Sequence, residues 1–271
     1  MEAGIKEYKA EALDDVMKNA FSKLAIADSK RWIDCLLSFL KKPESISEEM
    51  CSSLELSMLD MFLFTLYTDP INNNIDRIEL INKVKDCPVI LGELIELLSY
   101  KRKHIDFIDK PVDIGVEVPL DCYCTYSRDQ ILSGLGYYKP NTVRQGVFYI
   151  KEKKIDTLFV TLNKSDKEFS PSTLYEDYAI SKEQFHWESQ STTSDTSNMG
   201  QRYIHHKEMG SHIFLFVRDQ KTNQNVTCHY TFLGPAEFVS YEGSKPMSII
   251  WKLKNPIPAR FINDMSRGIA L

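Results

Sequence analysis

Residues 212–254, HIFLFVRDQKTNQNVTCHYTFLGPAEFVSYEGSKPMSIIWKLK, contain the pattern that decides the fold. Four short runs follow one another there, each rich in β-branched and aromatic residues: HIFLFVRD, CHYTFLG, AEFVSYEG and PMSIIWKLK. Turn residues separate the runs, which is typical of strands rather than of helices. The stretch therefore predicts consecutive strands that pair in a mostly antiparallel sheet.

Further strands and two short helices are predicted upstream of this stretch. The other strand candidates are GVFYIK, DTLFVTLNK and FHWESQ. One helix is expected in YSRDQILSGLG, with Ser127 as its N-cap and Gly136 at its end, and another over residues 199–208. Residues 111–120 have the composition of an extended linker or an edge strand. We expect this part of the chain to form a curled β-barrel with a few helices.

The first part of the chain has helical periodicity, with apolar residues recurring at spacings of three and four in ALDDVMKNAFSKLAI. Asp28 and Ser29 are suited to cap the next helix. Ser45 or Ser47 is expected to cap a long helix through EEMCSSLELSMLDMFLFTLY, and Pro88 to open the last one, which ends in YKRKH. The chain is therefore predicted to be an α+β protein.

The length of 271 residues favours two domains. We predict a helical connector or interaction domain over residues 1–110 and a β-rich domain over residues 111–271. Residues 1–110 carry 15 Lys and Arg against 20 Asp and Glu, whereas the remainder carries 18 of each. Neither part has the basic excess of a nonspecific polyanion binder, although a selective reader with a local basic patch stays open.

The sequence contains no apolar run long enough to cross a bilayer and no apolar region of a signal peptide near its N-terminus. We therefore expect a cytoplasmic protein without a membrane partner. Six cysteines occur without any CxxC spacing, and in such a protein they are expected to be reduced thiols rather than zinc ligands.

Common catalytic motifs are missing from the sequence: GxxxxGK[ST], GxGxxG, HExxH and GxSxG. His205 and Lys207 match the start of the HxKxxxxD signature of phospholipase-D-type nucleases, but His212 stands where that signature has Asp. His205 and His206 would project about 100° apart on a helix, so we expect one exposed and one packed. The sequence predicts no catalytic residue, no metal site and no cofactor.

A candidate binding segment is SPSTLYEDYAISKEQFHWESQSTT, residues 170–193, which combines aromatic, acidic and hydroxyl side chains. Aromatic faces stack bases, carboxylates accept hydrogen bonds from exocyclic amines, and hydroxyls contact phosphates or base edges. Aromatic residues at strand spacing are also typical of a core, and the polar stretch 189–198 of a solvated loop. The candidate site residues are Tyr175, Glu176, Asp177, Tyr178, Trp187, Ser189, Gln190, Thr192, Thr193, Arg202, Tyr203 and Lys207, with Arg202 and Lys207 as phosphate contacts.

Several strings resemble, in order, the DUF3427 family over about residues 111–258: YSRDQILSGLG, LFVTLNKSDKEFSPSTLYEDYAIS, FHWESQSTT, GQRYIHH and YTFLGPAEFVSYEGSKPMSIIW. LDMFLFTLYTDP and PVILGELIELLSYKRKHIDF resemble the region that joins a superfamily II helicase to that domain. Members of the family commonly lie at the C-terminus of restriction-type proteins with a phospholipase-D-like nuclease and a helicase motor. ATP-dependent type IV restriction enzymes of the SauUSI kind, which act on methylated or hydroxymethylated cytosine, are similar.

The resemblance implies a noncatalytic target-recognition module that binds double-stranded DNA with 5-methyl- or 5-hydroxymethylcytosine. The nuclease and helicase domains would lie upstream and be its partners. By analogy with SRA/PUA-like readers, we expect a curled barrel that flips the base into an aromatic pocket.

Other interpretations stay open, and readout of the methyl group in the major groove is one of them. A helix within residues 50–67 is apolar nearly all round, which favours a protein-interaction or homodimerisation module without base readout. An autonomous nuclease using His205 and Lys207 is the third interpretation.

Overall fold

The computed structural model describes residues 13–67, 69–70, 75–163, 177–224 and 226–265. The chain divides into two compact units between Ile108 and Asp109. We call them the helical unit and the sheet unit.

The helical unit contains five α-helices within the described ranges: α1 (Asp14–Leu24), α2 (Lys30–Leu40), α3 (Ser53–Leu66), α4 (Arg77–Lys85) and α5 (Pro88–His104). The Ser29 side chain accepts a hydrogen bond from the backbone of Trp32, which confirms Ser29 as the cap of α2. Helix α5 begins at Pro88 and ends in the basic cluster, as predicted.

The start of α3 differs from the prediction. Glu48–Met50 form only a 3₁₀ turn, and Ser52 caps α3 through a capping box with Glu55. Neither Ser45 nor Ser47 has this role, because the Ser-x-x-Glu pair at Ser52 satisfies two backbone N–H groups at once.

The apolar helix α3 lies inside the helical unit. Residues 58–65 are all buried, including Asp60, whose two carboxylate oxygens accept hydrogen bonds from Nη1 of Arg77 at 2.9 and 2.8 Å. A helix that is apolar all round is expected at the centre of a core. The helix that favoured dimerisation therefore uses its apolar surface within its own unit.

The sheet unit contains twelve strands among the described residues: β1 (Lys110–Pro111), β2 (Asp121–Cys122), β3 (Thr125–Tyr126), β4 (Val147–Ile150), β5 (Ile155–Thr161), β6 (Tyr178–Ala179), β7 (Gln184–Glu188), β8 (His212–Arg218), β9 (Thr222–Asn223), β10 (Val226–Thr227), β11 (Tyr230–Glu242) and β12 (Ser248–Leu253). Its helices are α6 (Arg128–Gly134), α7 (Asn198–Ile204) and α8 (Ala259–Met265). The predicted cap of α6, Ser127, forms a capping box with Gln130.

The large sheet has the strand order β4-β5-β8-β11-β12-β7-β6, and β3 pairs with β11. Strands β5 and β8 are parallel, whereas the other pairs are antiparallel. In the described part of the chain, β4 and β6 end the ladder and do not pair with each other. The mixed α+β class is confirmed, but the expected closed barrel is not: a parallel crossover places β8 beside β5, and the sheet stays open.

Strand β11 combines two predicted strands into one. The register shifts between Phe232 and Gly234, where Gly234 adopts a positive φ of 100°. A Cβ at Gly234 would lie 2.7 Å from Sγ of Cys122, so only glycine fits. The Gly-Pro pair therefore makes a bulge within a continuous strand rather than a turn.

One face of the sheet carries the main apolar cluster of the unit. Tyr203 of α7 packs into this cluster beside Trp187 and Trp251. The strand residues of the cluster are Val147, Leu158, Val160, Ala179, Phe185, Trp187, Ile213, Leu215, Val217, Leu233, Ala236, Ile249, Trp251 and Leu253. Since α7 covers this face, any surface that the strands expose lies on the opposite side.

Candidate nucleic-acid interface

Strand β7 divides its side chains between a core and a partly exposed surface. Phe185 and Trp187 are buried, whereas Gln184, His186 and Glu188 are half-buried. Alternate residues of a strand point to opposite faces of the sheet. The strand predicted for FHWESQ is confirmed, and its alternation separates a core face from a partly exposed face.

A stacked aromatic pair lies on the exposed side of this strand. Tyr178 pairs with His186 in the β6–β7 register, and their rings stack with centroids 4.7 Å apart and an interplanar angle of 20°. Nε2 of His186 lies 2.6 Å from Oγ of Ser248 on the neighbouring strand. Tyr178 and His186 are each half-buried, so the pair offers a flat aromatic surface with an adjacent hydroxyl.

This surface extends over β12 and the end of β11. Cross-strand partners share one face of a sheet. The register therefore defines an open face that consists of Tyr178, Gln184, His186, Glu188, Glu237, Ser240, Glu242, Ser248, Ile250 and Lys252. Glu188 and Glu242 are the partners of Ser248 on its two neighbouring strands, so carboxylates flank the hydroxyl.

Asp177 lies next to the open face but is buried. Its Oδ1 accepts a hydrogen bond from the backbone of Glu188 at 2.9 Å, which ties the start of β6 to β7. The candidate residues Tyr175 and Glu176 lie outside the described residues.

Trp187 and Tyr203 are core residues. Their rings meet edge to face with centroids 5.5 Å apart, and Tyr203 is fully buried. The Tyr203 hydroxyl has no hydrogen-bond partner among the described residues, and burial raises the pKa of this phenol. These two aromatics support the sheet from behind the open face and do not lie on it.

The predicted solvated loop, residues 189–198, is exposed in part, but Ser189, Thr193 and Ser194 are buried. Oγ of Ser189 accepts a hydrogen bond from the backbone of Met247 at 2.8 Å, and Thr193 is buried with Oγ1 3.5 Å from Sδ of Met199. Ser197 caps α7. Most of the hydroxyls that suggested phosphate contacts therefore stabilise the loop itself.

Gln190 and Thr192 are the more accessible candidates in this loop. Gln190 is half-buried and its carbonyl oxygen accepts a hydrogen bond from the backbone of Thr193, whereas Thr192 is exposed. Neither residue belongs to the open face defined by the strand register.

Arg202, a predicted phosphate contact, makes a buried ion pair. Nε and Nη2 donate to the two carboxylate oxygens of Asp156 at 2.6 and 2.7 Å, and the guanidinium lies 4.1 Å from the centre of the Tyr149 ring. Burial raises the pKa of Asp156, against the lowering effect of Arg202. The fork of the guanidinium is thus occupied within the protein. Lys207, the other predicted phosphate contact, is exposed and pairs with Glu237 at 2.8 Å.

The adjacent histidines differ as the sequence predicted. His205 is 39% exposed and pairs with Glu208, whereas His206 is buried. Nε2 of His206 accepts a hydrogen bond from the backbone of Phe238 at 3.1 Å, and Nδ1 lies 3.2 Å from the carbonyl oxygen of Ser211. These partners assign the proton to Nδ1 and a neutral ring to His206.

Across the described ranges, no group of three or more His, Cys, Asp or Glu side chains is arranged to hold a metal ion. The helices in these ranges also include none with the length and apolarity needed to span a membrane.

Sequence reasoning missed His186, Ser248 and Glu188 as members of the candidate surface. The alternation in FHWESQ marks His186 and Glu188 as sharing one face. Ser248 could not be found in this way, because its position depends on which strand pairs with β7.

Comparison with protein families gives a match, whereas comparison with curated proteins gives none. The matching family is described as a domain of unknown function, DUF3427, and the match covers residues 120–265. This range is more than half of the chain and includes every residue of the open face.

Proposed function

This chain belongs to the DUF3427 family, and we propose that its sheet unit binds double-stranded DNA containing 5-methyl- or 5-hydroxymethylcytosine. In this proposal the sheet unit is the noncatalytic target-recognition part of a type IV restriction enzyme. The resemblance of the chain to such enzymes motivates the proposal, and the open face supports it.

The observation that carries the proposal is the stack of Tyr178 on His186. A half-exposed aromatic ring on a sheet provides a stacking platform for a base, as in other proteins that bind unpaired nucleotides. The carboxylates of Glu188 and Glu242 can accept hydrogen bonds from an exocyclic amine such as that of cytosine, and Ser248 adds a hydroxyl between them.

We propose that the cytosine is flipped out of the duplex to reach this platform. Flipping costs a few kcal/mol of stacking and pairing but gives access to the whole base. In this proposal the open face takes the role that the analogy with SRA/PUA-like readers gave to an aromatic pocket. Trp187 and Tyr203 then act only by supporting the strand that carries His186.

The helical unit is proposed to connect the sheet unit to an upstream helicase and phospholipase-D-like nuclease in a cytoplasmic enzyme. The alternative of a dimerisation module rested on the apolar helix α3. That helix is buried in its own unit, so we favour the DNA-binding proposal.

The proposal is tested by titrating the full chain with three matched duplexes containing cytosine, 5-methylcytosine or 5-hydroxymethylcytosine. We expect tighter binding to at least one modified duplex than to the unmodified one. Equal affinity for all three would reject the proposal.

The variant Tyr178→Ala is expected to remove the preference for modified DNA, because it removes one of the two stacked rings of the platform. Tyr100→Ala is the matched control: Tyr100 is 60% exposed and stacks on His104 at 4.0 Å, but it lies in the helical unit. The control should keep wild-type preference, and an equal loss in both variants would contradict the assigned platform.

A further inference from the structure

A turn between β4 and β5 concentrates positive charge at one corner of the sheet unit. Its four residues are Lys151, Glu152, Lys153 and Lys154, of which Lys151 and Lys154 are exposed and Lys153 is half-buried. Lys154 has a positive φ of 51°, and its backbone donates to the carbonyl oxygen of Lys151 at 3.2 Å. The turn therefore has a defined shape that presents several lysines close together.

The turn is attached to the start of β8. The backbone of His212 donates to the carbonyl oxygen of Lys154 at 2.8 Å, and Ile155 pairs with His212 in the parallel register. These contacts hold the turn in place at the β4 end of the large sheet.

Few negative charges balance these cations. Glu237 is paired with Lys207, and Glu208 with His205. Lys151, Lys153 and Lys154 make no ion pair with any carboxylate in the described ranges, and Glu152 is the acidic residue within the turn itself. This differs from Arg202, whose charge is compensated by Asp156.

We propose that this basic corner, formed by Lys151, Lys153 and Lys154, binds the phosphodiester backbone of double-stranded DNA. The inference rests on the proposed function and adds a cluster of cations, since Glu188, Glu237 and Glu242 on the open face outnumber its one lysine, Lys252. Lysine ammonium groups attract phosphates as point charges. Contacts of this kind position a protein on DNA without reading its sequence.

The two surfaces make separate contributions to binding. The open face supplies selectivity between bases, and the basic corner supplies affinity for any duplex. Charge loss at the corner should therefore lower the affinity for modified and for unmodified DNA by the same factor. The ratio of the two affinities should stay unchanged.

The test is the salt dependence of duplex binding by the full chain carrying Lys151→Gln, Lys153→Gln and Lys154→Asn. Asparagine is chosen at residue 154 because it tolerates positive φ. The slope of log K against log [salt] should become shallower by about 0.9 for each phosphate that the variant no longer neutralises, or about 2.7 for three phosphates.

The matched control carries Lys139→Gln, Lys182→Gln and Lys245→Asn. It removes the same number of charges from exposed sites of the same unit, and Lys245 also has a positive φ, of 62°. The control should keep the wild-type slope. Circular dichroism and thermal melting of both variants should match those of the wild type.

A wild-type slope in the turn variant, or equal slope changes in both variants, would overturn the basic corner as a binding surface. A different pair of results would reject selective recognition but support the basic corner. In that case the wild type binds all duplexes equally, and the salt dependence of binding becomes shallower only in the turn variant. The two failures are therefore distinguishable.

Discussion

The two faces of strand β7 carry similar aromatic side chains and differ in what surrounds them. Phe185 and Trp187 lie under α7 in the apolar cluster, whereas His186 and its stacking partner Tyr178 are half-buried on the open face. On the first face an aromatic ring stabilises the fold. On the second, the rings of His186 and Tyr178 form the proposed stacking platform, so burial, not residue type, distinguishes the structural role from the proposed one.

The largest expected effect comes from Trp187→Ala on the buried face. Truncation of a buried Trp costs roughly 3–5 kcal/mol of unfolding free energy. Chemical denaturation measures the loss. The folded fraction should still prefer modified DNA, and a variant with wild-type stability but no preference would place Trp187 on the recognition surface instead.

A smaller loss of unfolding free energy is expected for Gly200→Ala. Gly200 lies where α7 contacts the loop that precedes it. A methyl group at Gly200 would overlap the carbonyl oxygen of Ser194 and approach Sδ of Met247 to 2.9 Å. Overpacking of this kind costs roughly 1–3 kcal/mol. In contrast, Gly92→Ala in α5 meets nothing within 4 Å and should be neutral or stabilising, so equal destabilisation of the two variants would be inconsistent with the packing.

The buried face should also make stability depend on pH. Burial lowers the pKa of His206. Between this lowered value and about 6.5, the unfolded chain binds more protons than the folded one. Stability should therefore be complete above about pH 6.5 and fall as the pH decreases through this window, by at most about 1.4 kcal/mol per pH unit for each proton.

His206→Gln sharpens this prediction, because glutamine can accept the hydrogen bond from Phe238 without titrating. Unfolding free energies at pH 7.5 and 5.5 should differ less in this variant than in the wild type. His205→Gln serves as the control and should keep the wild-type difference, since His205 is partly exposed.

The smallest effect on stability is expected for Tyr178→Ala on the open face, less than about 1 kcal/mol, because the ring is half-buried. Its effect on binding should be larger: loss of one base–aromatic stack is worth about 1–3 kcal/mol, or about 5- to 150-fold in affinity for modified DNA. Melting and titration of the same preparation separate the two quantities. A large drop in melting temperature would assign Tyr178 to the core and remove the difference between the faces.

Local signals in the sequence predicted much of the fold. Ser29 and Ser127 cap helices because their side chains bond to backbone groups three residues away, which is a relation within a few residues. The alternation in FHWESQ identified the two faces of β7 for the same reason. The start of α3 was misplaced because several serines precede it. Ser45 also has a glutamate three residues on, Glu48, so the Ser-x-x-Glu pattern alone does not single out Ser52.

Long-range pairing could not be predicted from such signals. The parallel contact of β5 with β8 departs from the expected antiparallel pairing, and it depends on residues far apart in the chain. Arg202 was expected to contact phosphate because it follows a polar loop, but its partner Asp156 lies on a distant strand. Ser248 was overlooked because only the tertiary register places it beside His186.

The pairing of β5 with β8 also affects the order in which the chain can fold. The centre of the sheet joins residue 155 to residue 212, and the strands β6 and β7 and the helix α7 lie between them in the sequence. Contacts of high sequence separation form slowly because a long loop must close first. The large sheet cannot be completed before β11 and β12 have left the ribosome. The same strand pairing that positions the candidate surface therefore makes this surface one of the last parts of the protein to form.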